Sequence, residues 1–112
     1  MAEKIYYVEF PSSDRAATSA FFKAAFGWGQ VSYGPDYDGI EGAGIDGGVD
    51  QGEGKVANTM AIVRSDDLDD AERRIVAAGG VITRQQFNFP GGRRFHFREP
   101  GGNEMAVWSA RD

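Results

Sequence analysis

The sequence contains no cysteine, which excludes disulfides, thiolate nucleophiles and thiolate metal ligands together. Histidine occurs once, at His96, and no Ser-His-Asp arrangement with any spacing logic surrounds it. No stretch approaches the roughly 20 apolar residues of a membrane span. The N-terminus lacks a secretory apolar segment, so a cytoplasmic protein without membrane attachment is expected. The formal charge is −5 and the cations are scattered. Nucleic acid would want a basic stripe, and none is present. The Gly-rich stretch 42–54 has no Lys-Ser/Thr ending, so it is not a phosphate loop. Asp66, Asp67, Asp69 and Asp70 lack the glycine and terminal glutamate of a calcium loop, and helix capping accounts for them.

What is present suffices for one domain, since 112 residues bury a real core without staples. The 16 glycines indicate many turns rather than disorder, because the aromatic content is too high for a disordered chain. Phe95 to Trp108 reads as strand, turn, strand. Pro100, Gly101, Gly102 and Asn103 make the turn. Phe95 and Phe97 alternate with Arg94, His96 and Arg98 before it, and Glu104, Ala106 and Trp108 alternate with Met105, Val107 and Ser109 after it. Such alternation gives each strand two different faces.

From the N-terminus, Lys4 to Phe10 reads as a strand with Tyr7 and Glu9 on one face. A helix follows near Asp14–Phe26, capped by Ser13 or Asp14 and stopped by Gly27. Ala17, Ala20, Phe21 and Ala24 form its apolar stripe. Gln30 to Tyr33 is a short strand, residues 37–49 hold two more, and residues 51–55 read as a flexible connection. The plan then repeats. A strand over Asn58–Arg64 precedes a helix near Asp67–Ala78 with Leu68, Ala71, Ile75 and Ala78 inside. Gly79 and Gly80 end that helix, and Val81–Arg84 begins the last strands. With Asp14 set on Asp67, an offset of 53, Tyr7 falls on Met60, Gly27 on Gly80, Asp46 on Glu99 and Gly48 on Gly101. An internal duplication of a strand-helix-strand-strand-strand unit explains this phase. The expectation is an α+β fold of two βαβββ modules, about 1–54 and 55–112, related by a pseudo-twofold within the single domain 1–112.

Several stretches together resemble the vicinal oxygen chelate superfamily, also called the glyoxalase/bleomycin-resistance/dioxygenase fold. They are Val8 to Ala17, Phe21-Phe22, Ala25-Phe26-Gly27-Trp28, Gly44 to Gly48, Ser65 to Leu68 with Gly79-Gly80, and Glu99 to Asn103. The resemblance runs over essentially the whole chain. It implies a half-open barrel around a cleft, in which many members hold a divalent metal on His, Gln or Glu from both modules. It places those ligand positions here at Tyr7, Met60 and Ala106, with a fourth at Asp46 or Asp50 left unregistered. Phenol, thioether and methyl are poor or empty ligands for such metals, so neither metal nor other cofactor is expected.

The parity of the same positions assigns to the cleft Tyr7, Glu9, Met60, Ile62, Glu104, Ala106 and Trp108, with His96 as a further candidate. An aromatic face with carboxylates suits a flat or cationic organic ligand through stacking and charge pairing. The expected function is therefore metal-independent binding of such a small molecule. The alternative is a lyase- or isomerase-type enzyme of the same superfamily using Glu9, Glu104 or His96, with or without a metal, and no catalytic residue is assigned between the two. A homodimer is expected, because a small open sheet with Phe- and Trp-bearing edges leaves apolar surface to cover.

Overall fold

The structure is a computed structural model and describes residues 3–110. Its contacts divide these residues into two units, one of residues 6–60 and one of residues 61–110 with 3–5.

In the first unit, β1 (Lys4–Pro11) is followed by α1 (Arg15–Phe26), β2 (Gly29–Ser32), β3 (Tyr37–Glu41) and β4 (Asp46–Asp50). The strand order is β2-β3-β4-β1. The β2/β3 and β3/β4 pairs are antiparallel hairpins, and β4 returns to lie parallel to β1, with Glu9 opposite Gly48. The second unit holds β5 (Met60–Arg64), α2 (Leu68–Ala77), β6 (Val81–Phe89), β7 (Gly92–Arg98) and β8 (Glu104–Ser109). Its order is β6-β7-β8-β5, and β8 lies parallel to β5, with Ile62 opposite Ala106. Each unit is thus a βαβββ module of the same topology. The duplication expected from the acidic breaks before the helices and the glycines after them holds at this level, and the fold class is α+β. The expected matches of Asp46 with Glu99 and Gly48 with Gly101 do not hold: Asp46 and Gly48 lie on β4, Glu99 and Gly101 lie in the turn before β8, and Ala106 opposite Ile62 takes the place of Gly48 opposite Glu9. Among the described residues no helix is long and apolar enough to cross a membrane.

The helix ends follow their local chemistry. Asp14, not Ser13, caps α1, its carboxylate accepting the Ala17 amide at 3.1 Å. Gly27 closes the helix at φ 75°, the left-handed conformation that glycine adopts without a Cβ penalty. Asp67 caps α2 in the same way through the Asp70 amide at 3.0 Å. On α2, Leu68 and Ala71 are buried with Phe95, Phe97 and Val107, and Ile75 packs against them. Ala78 falls outside this stripe as the exposed C-cap.

The expected stripe on α1 is overturned. Ala17, Ala20, Phe21 and Ala24 are all exposed, and the helix buries Ser19. Its inner row is Arg15, Thr18, Ser19 and Phe22. Phe22 packs on Phe10 and Trp28 with ring centres 5.2 and 5.0 Å away. The reason is Asp38, fully buried on β3, which accepts from Arg15 at 2.5 Å and from the Ser19 hydroxyl at 2.7 Å. A buried carboxylate left without these donors would cost far more than the exposure of one phenylalanine. It therefore sets the rotation of the helix. Residues 51–55 are also less free than their composition suggests: the Gln51 side chain accepts the Arg15 amide at 2.8 Å, and the Gln51 amide bonds Asp36.

The β7–β8 turn is built on Glu99. Its carboxylate accepts the Gly101 amide at 2.6 Å, the Asn103 amide at 2.9 Å and the Asn103 side chain. The two backbone donors, Gly101 first, hold the Glu99 carboxyl below its ordinary value of 4.5. A depressed folded-state pKa means stability present above the ordinary value and lost as pH falls through the folded one. We expect Glu99→Gln to melt below wild type at neutral pH, with the gap closing as the pH falls below 4.5. Melting curves across that range check it, and a gap constant with pH contradicts it.

Candidate functional site

On the sheet of residues 6–60, one row runs across three strands: Glu9 on β1, Gly48 on β4 and Gly39 on β3. Two adjacent glycines leave a trough in that face, and three tyrosines fill it. A Cβ on Gly39 would lie 2.7 Å from the Tyr33 ring. One on Gly48 would lie 2.4 Å from the Tyr7 hydroxyl and closer still to that of Tyr37. The trough lets the two hydroxyls meet at 2.6 Å, and Tyr37 donates onward to Glu9 Oε2 at 3.1 Å. Glu9 itself is buried, with 5 % of its surface exposed.

The chain of bonds has a direction. Tyr37 has one proton and gives it to Glu9, so the bond between the phenols must be donated by Tyr7. The Tyr7 oxygen is then left as an acceptor at the outer end. Burial pushes the pKa of both phenols up, and the Glu9 charge adds to the effect. Both stay protonated at neutral pH. The arrangement accepts a hydrogen bond at Tyr7, and a proton gained there can be passed through Tyr37 to a carboxylate.

The unit of residues 61–110 presents a different face. Opposite its core, cross-strand register aligns Ile62, Ala106 and His96 in one row and Arg64, Trp108 and Arg94 in the next. Arg64 lies 5.1 Å from the Trp108 ring centre. The Arg94 Nε–H donates to His96 Nε2 at 3.1 Å, which requires a neutral imidazole protonated on Nδ1. Phe87 meets His96 edge-on at 5.6 Å.

The residues expected to line a site divide between these settings. Tyr7 and Glu9 share one cluster through Tyr37. Ile62, Ala106 and His96 share a row and are buried, with Trp108 half-buried in the next. Glu104 is half-buried and accepts from Thr83 at 2.7 Å, so it is not simply solvated. Met60 is buried, with 1 % exposure. Sequence reasoning missed Tyr37, and it missed Phe87, whose ring meets His96. For Tyr37 a signal existed in the paired glycines at 39 and 48, which on facing strands predict a trough.

The metal implied by the resemblance does not fit these side chains. The Tyr7 phenol holds its proton and directs it at Tyr37. A thioether at Met60 and a methyl at Ala106 give a hard divalent cation nothing to bind. Asp50 already accepts the Gly52 amide at 2.8 Å. Among the described residues no three His, Cys, Asp or Glu side chains group to hold an ion.

No family model matches the sequence, and no curated protein does either. Solved structures do match by shape. A Mn(II)-bound glyoxalase from Novosphingobium aromaticivorans is 20% identical with a TM-score of 0.69; the match covers 96% of this chain and 38% of that one. Methylmalonyl-CoA epimerase from Mycobacterium tuberculosis is 14% identical with a TM-score of 0.69, over 93% of this chain and 85% of that one. A glyoxalase/bleomycin resistance protein/dioxygenase superfamily member from Vibrio splendidus 12B01 is 14% identical with a TM-score of 0.66, over 92% and 95%.

Proposed function

From the premise that the chain has the vicinal oxygen chelate fold, that of the glyoxalase/bleomycin-resistance/dioxygenase superfamily, we propose that it binds a small organic molecule with an aromatic or cationic part, without a metal. The observation that carries this reading is the directed chain Tyr7–Tyr37–Glu9 laid over Gly48. It occupies the position where the resemblance puts a metal ligand. It offers an acceptor oxygen backed by a buried carboxylate, which suits an ammonium N–H, and the tyrosine rings suit the flat part of a ligand.

Benzylamine and benzyltrimethylammonium separate the components, since both are aromatic cations and only the first donates a hydrogen bond. Benzylamine should raise the melting temperature more than its trimethyl analogue at equal concentration. Tyr7→Phe removes the acceptor and should weaken benzylamine roughly tenfold, as expected for a hydrogen bond to a charged group. Equal shifts from the two cations, both indifferent to Tyr7→Phe, refute the reading.

The direction of the same chain favours one second reading, an isomerase- or lyase-type step. A proton taken from an acidic C–H at Tyr7 would leave through Tyr37 to Glu9, the two phenols exchanging protons along the existing bonds. Deuterium incorporation into the ligand distinguishes turnover from binding.

A further inference from the structure

We propose that the unit of residues 61–110 carries a binding site for a planar aromatic carboxylate, centred on Arg84. The carrying observation is a register irregularity in β6. This strand has 9 residues where its partner β7 has 7. Ile82 lies opposite Phe97 and packs on the core. In a regular strand Arg84, two residues on, would share that buried face. A register shift between them sets Arg84 opposite His96 instead, on the face away from α2. A second shift, between Arg84 and Phe87, sets Phe87 opposite Arg94 on that same face, although residues three apart ordinarily point to opposite sides. Bulges disrupt ladder pairing and recur where a side chain must be re-aimed beside a site. Two of them here bring one guanidinium onto one ring.

The resulting geometry is specific. The Arg84 guanidinium stacks 3.7 Å from the Phe87 ring centre, and Arg94 lies 5.6 Å from the same centre. Stacking fixes the plane of a side chain that otherwise has many rotamers, and its in-plane N–H edge remains for a ligand, since Arg84 is exposed. Among the described residues Arg84 forms no salt bridge. A held guanidinium fork matches a carboxylate by two parallel hydrogen bonds. Phe89, half-buried with its ring centre 6.5 Å from that of Phe87, supplies a shelf for an aromatic ring beside the stacked guanidinium. A bare inorganic anion would leave that shelf unused, so the site selects an aromatic acid.

The test is calorimetric titration of the whole protein with 2-naphthoate, naphthalene-2-methanol and inorganic phosphate. Naphthoate should bind at least about tenfold more tightly than either other probe, and Arg84→Gln should weaken it about tenfold. Arg84 is exposed, so this variant should fold as wild type does. Arg73→Gln, the same charge change on α2, should leave naphthoate binding unchanged. The proposal is overturned if the alcohol or phosphate binds as well as naphthoate. It is equally overturned if Arg84→Gln binds like wild type, or if Arg73→Gln weakens binding as much as Arg84→Gln does.

Discussion

Gly48→Ala should destabilise the protein by about 3 kcal/mol, the upper end of the cost of overpacking a filled interior. In an ordinary strand position the same change would help slightly, because alanine has less freedom to lose on folding. At Gly48 the overlap decides the sign. The new methyl would lie 2.4 Å from the Tyr7 hydroxyl and from the Tyr37 ring carbon that bears its hydroxyl. One of the phenols must leave the trough, and the chain to Glu9 breaks with it. The response to benzylamine should therefore vanish along with stability. Adding Tyr37→Leu to Gly48→Ala should recover stability by vacating the space, but not the ligand response. Gly54→Ala, where a Cβ meets nothing within 4 Å, is the matched control and should be near neutral. Thermal melts of these variants decide the matter. Wild-type stability in Gly48→Ala would mean that the phenols do not occupy the trough.

Asp38→Ala should cost about as much for an electrostatic reason. Asp38 is fully buried and ties β3 to the inner face of α1 through Arg15 and Ser19. Deleting one member of a buried pair leaves the other charge uncompensated, typically about 3–5 kcal/mol. The low end applies here, because the Arg15 side chain keeps 21% of its surface in solvent and can rehydrate in part. A loss near 3 kcal/mol corresponds to roughly 10–15 °C in a chain of this size. Replacing both partners with apolar residues, Arg15→Met with Asp38→Leu, should restore much of it. If the double variant is as unstable as both losses added together, the ion pair is not what holds the helix.

Much of the architecture was legible without coordinates, because it is encoded over a few residues at a time. Alternation around Tyr7 and around Phe95, the caps at Asp14 and Asp67, the stop at Gly27 and the turn on Glu99 are short-range features. Their recurrence in phase was enough to expect two βαβββ modules. The same logic failed on α1. Its apolar spacing was genuine, yet the stripe at Ala17, Ala20, Phe21 and Ala24 faces outward, since a carboxylate on β3 claims Arg15 and Ser19. A helical wheel does not contain that partner.

The candidate sites lay still further from what sequence alone determines. Alternation placed Tyr7 and Glu9 on one face, and that alone could be read locally. Only the folded chain decides that Tyr37, from β3, reaches across Gly48 on β4 to join them, because glycine-rich strands specify their own register weakly. Only the pairing of β6 with β7 decides that Arg84 and Phe87 share a face. Side-chain parity is a property of the strand when the ladder is regular, and of the partner when it is not. A bulge inverts parity without leaving any mark in the local sequence.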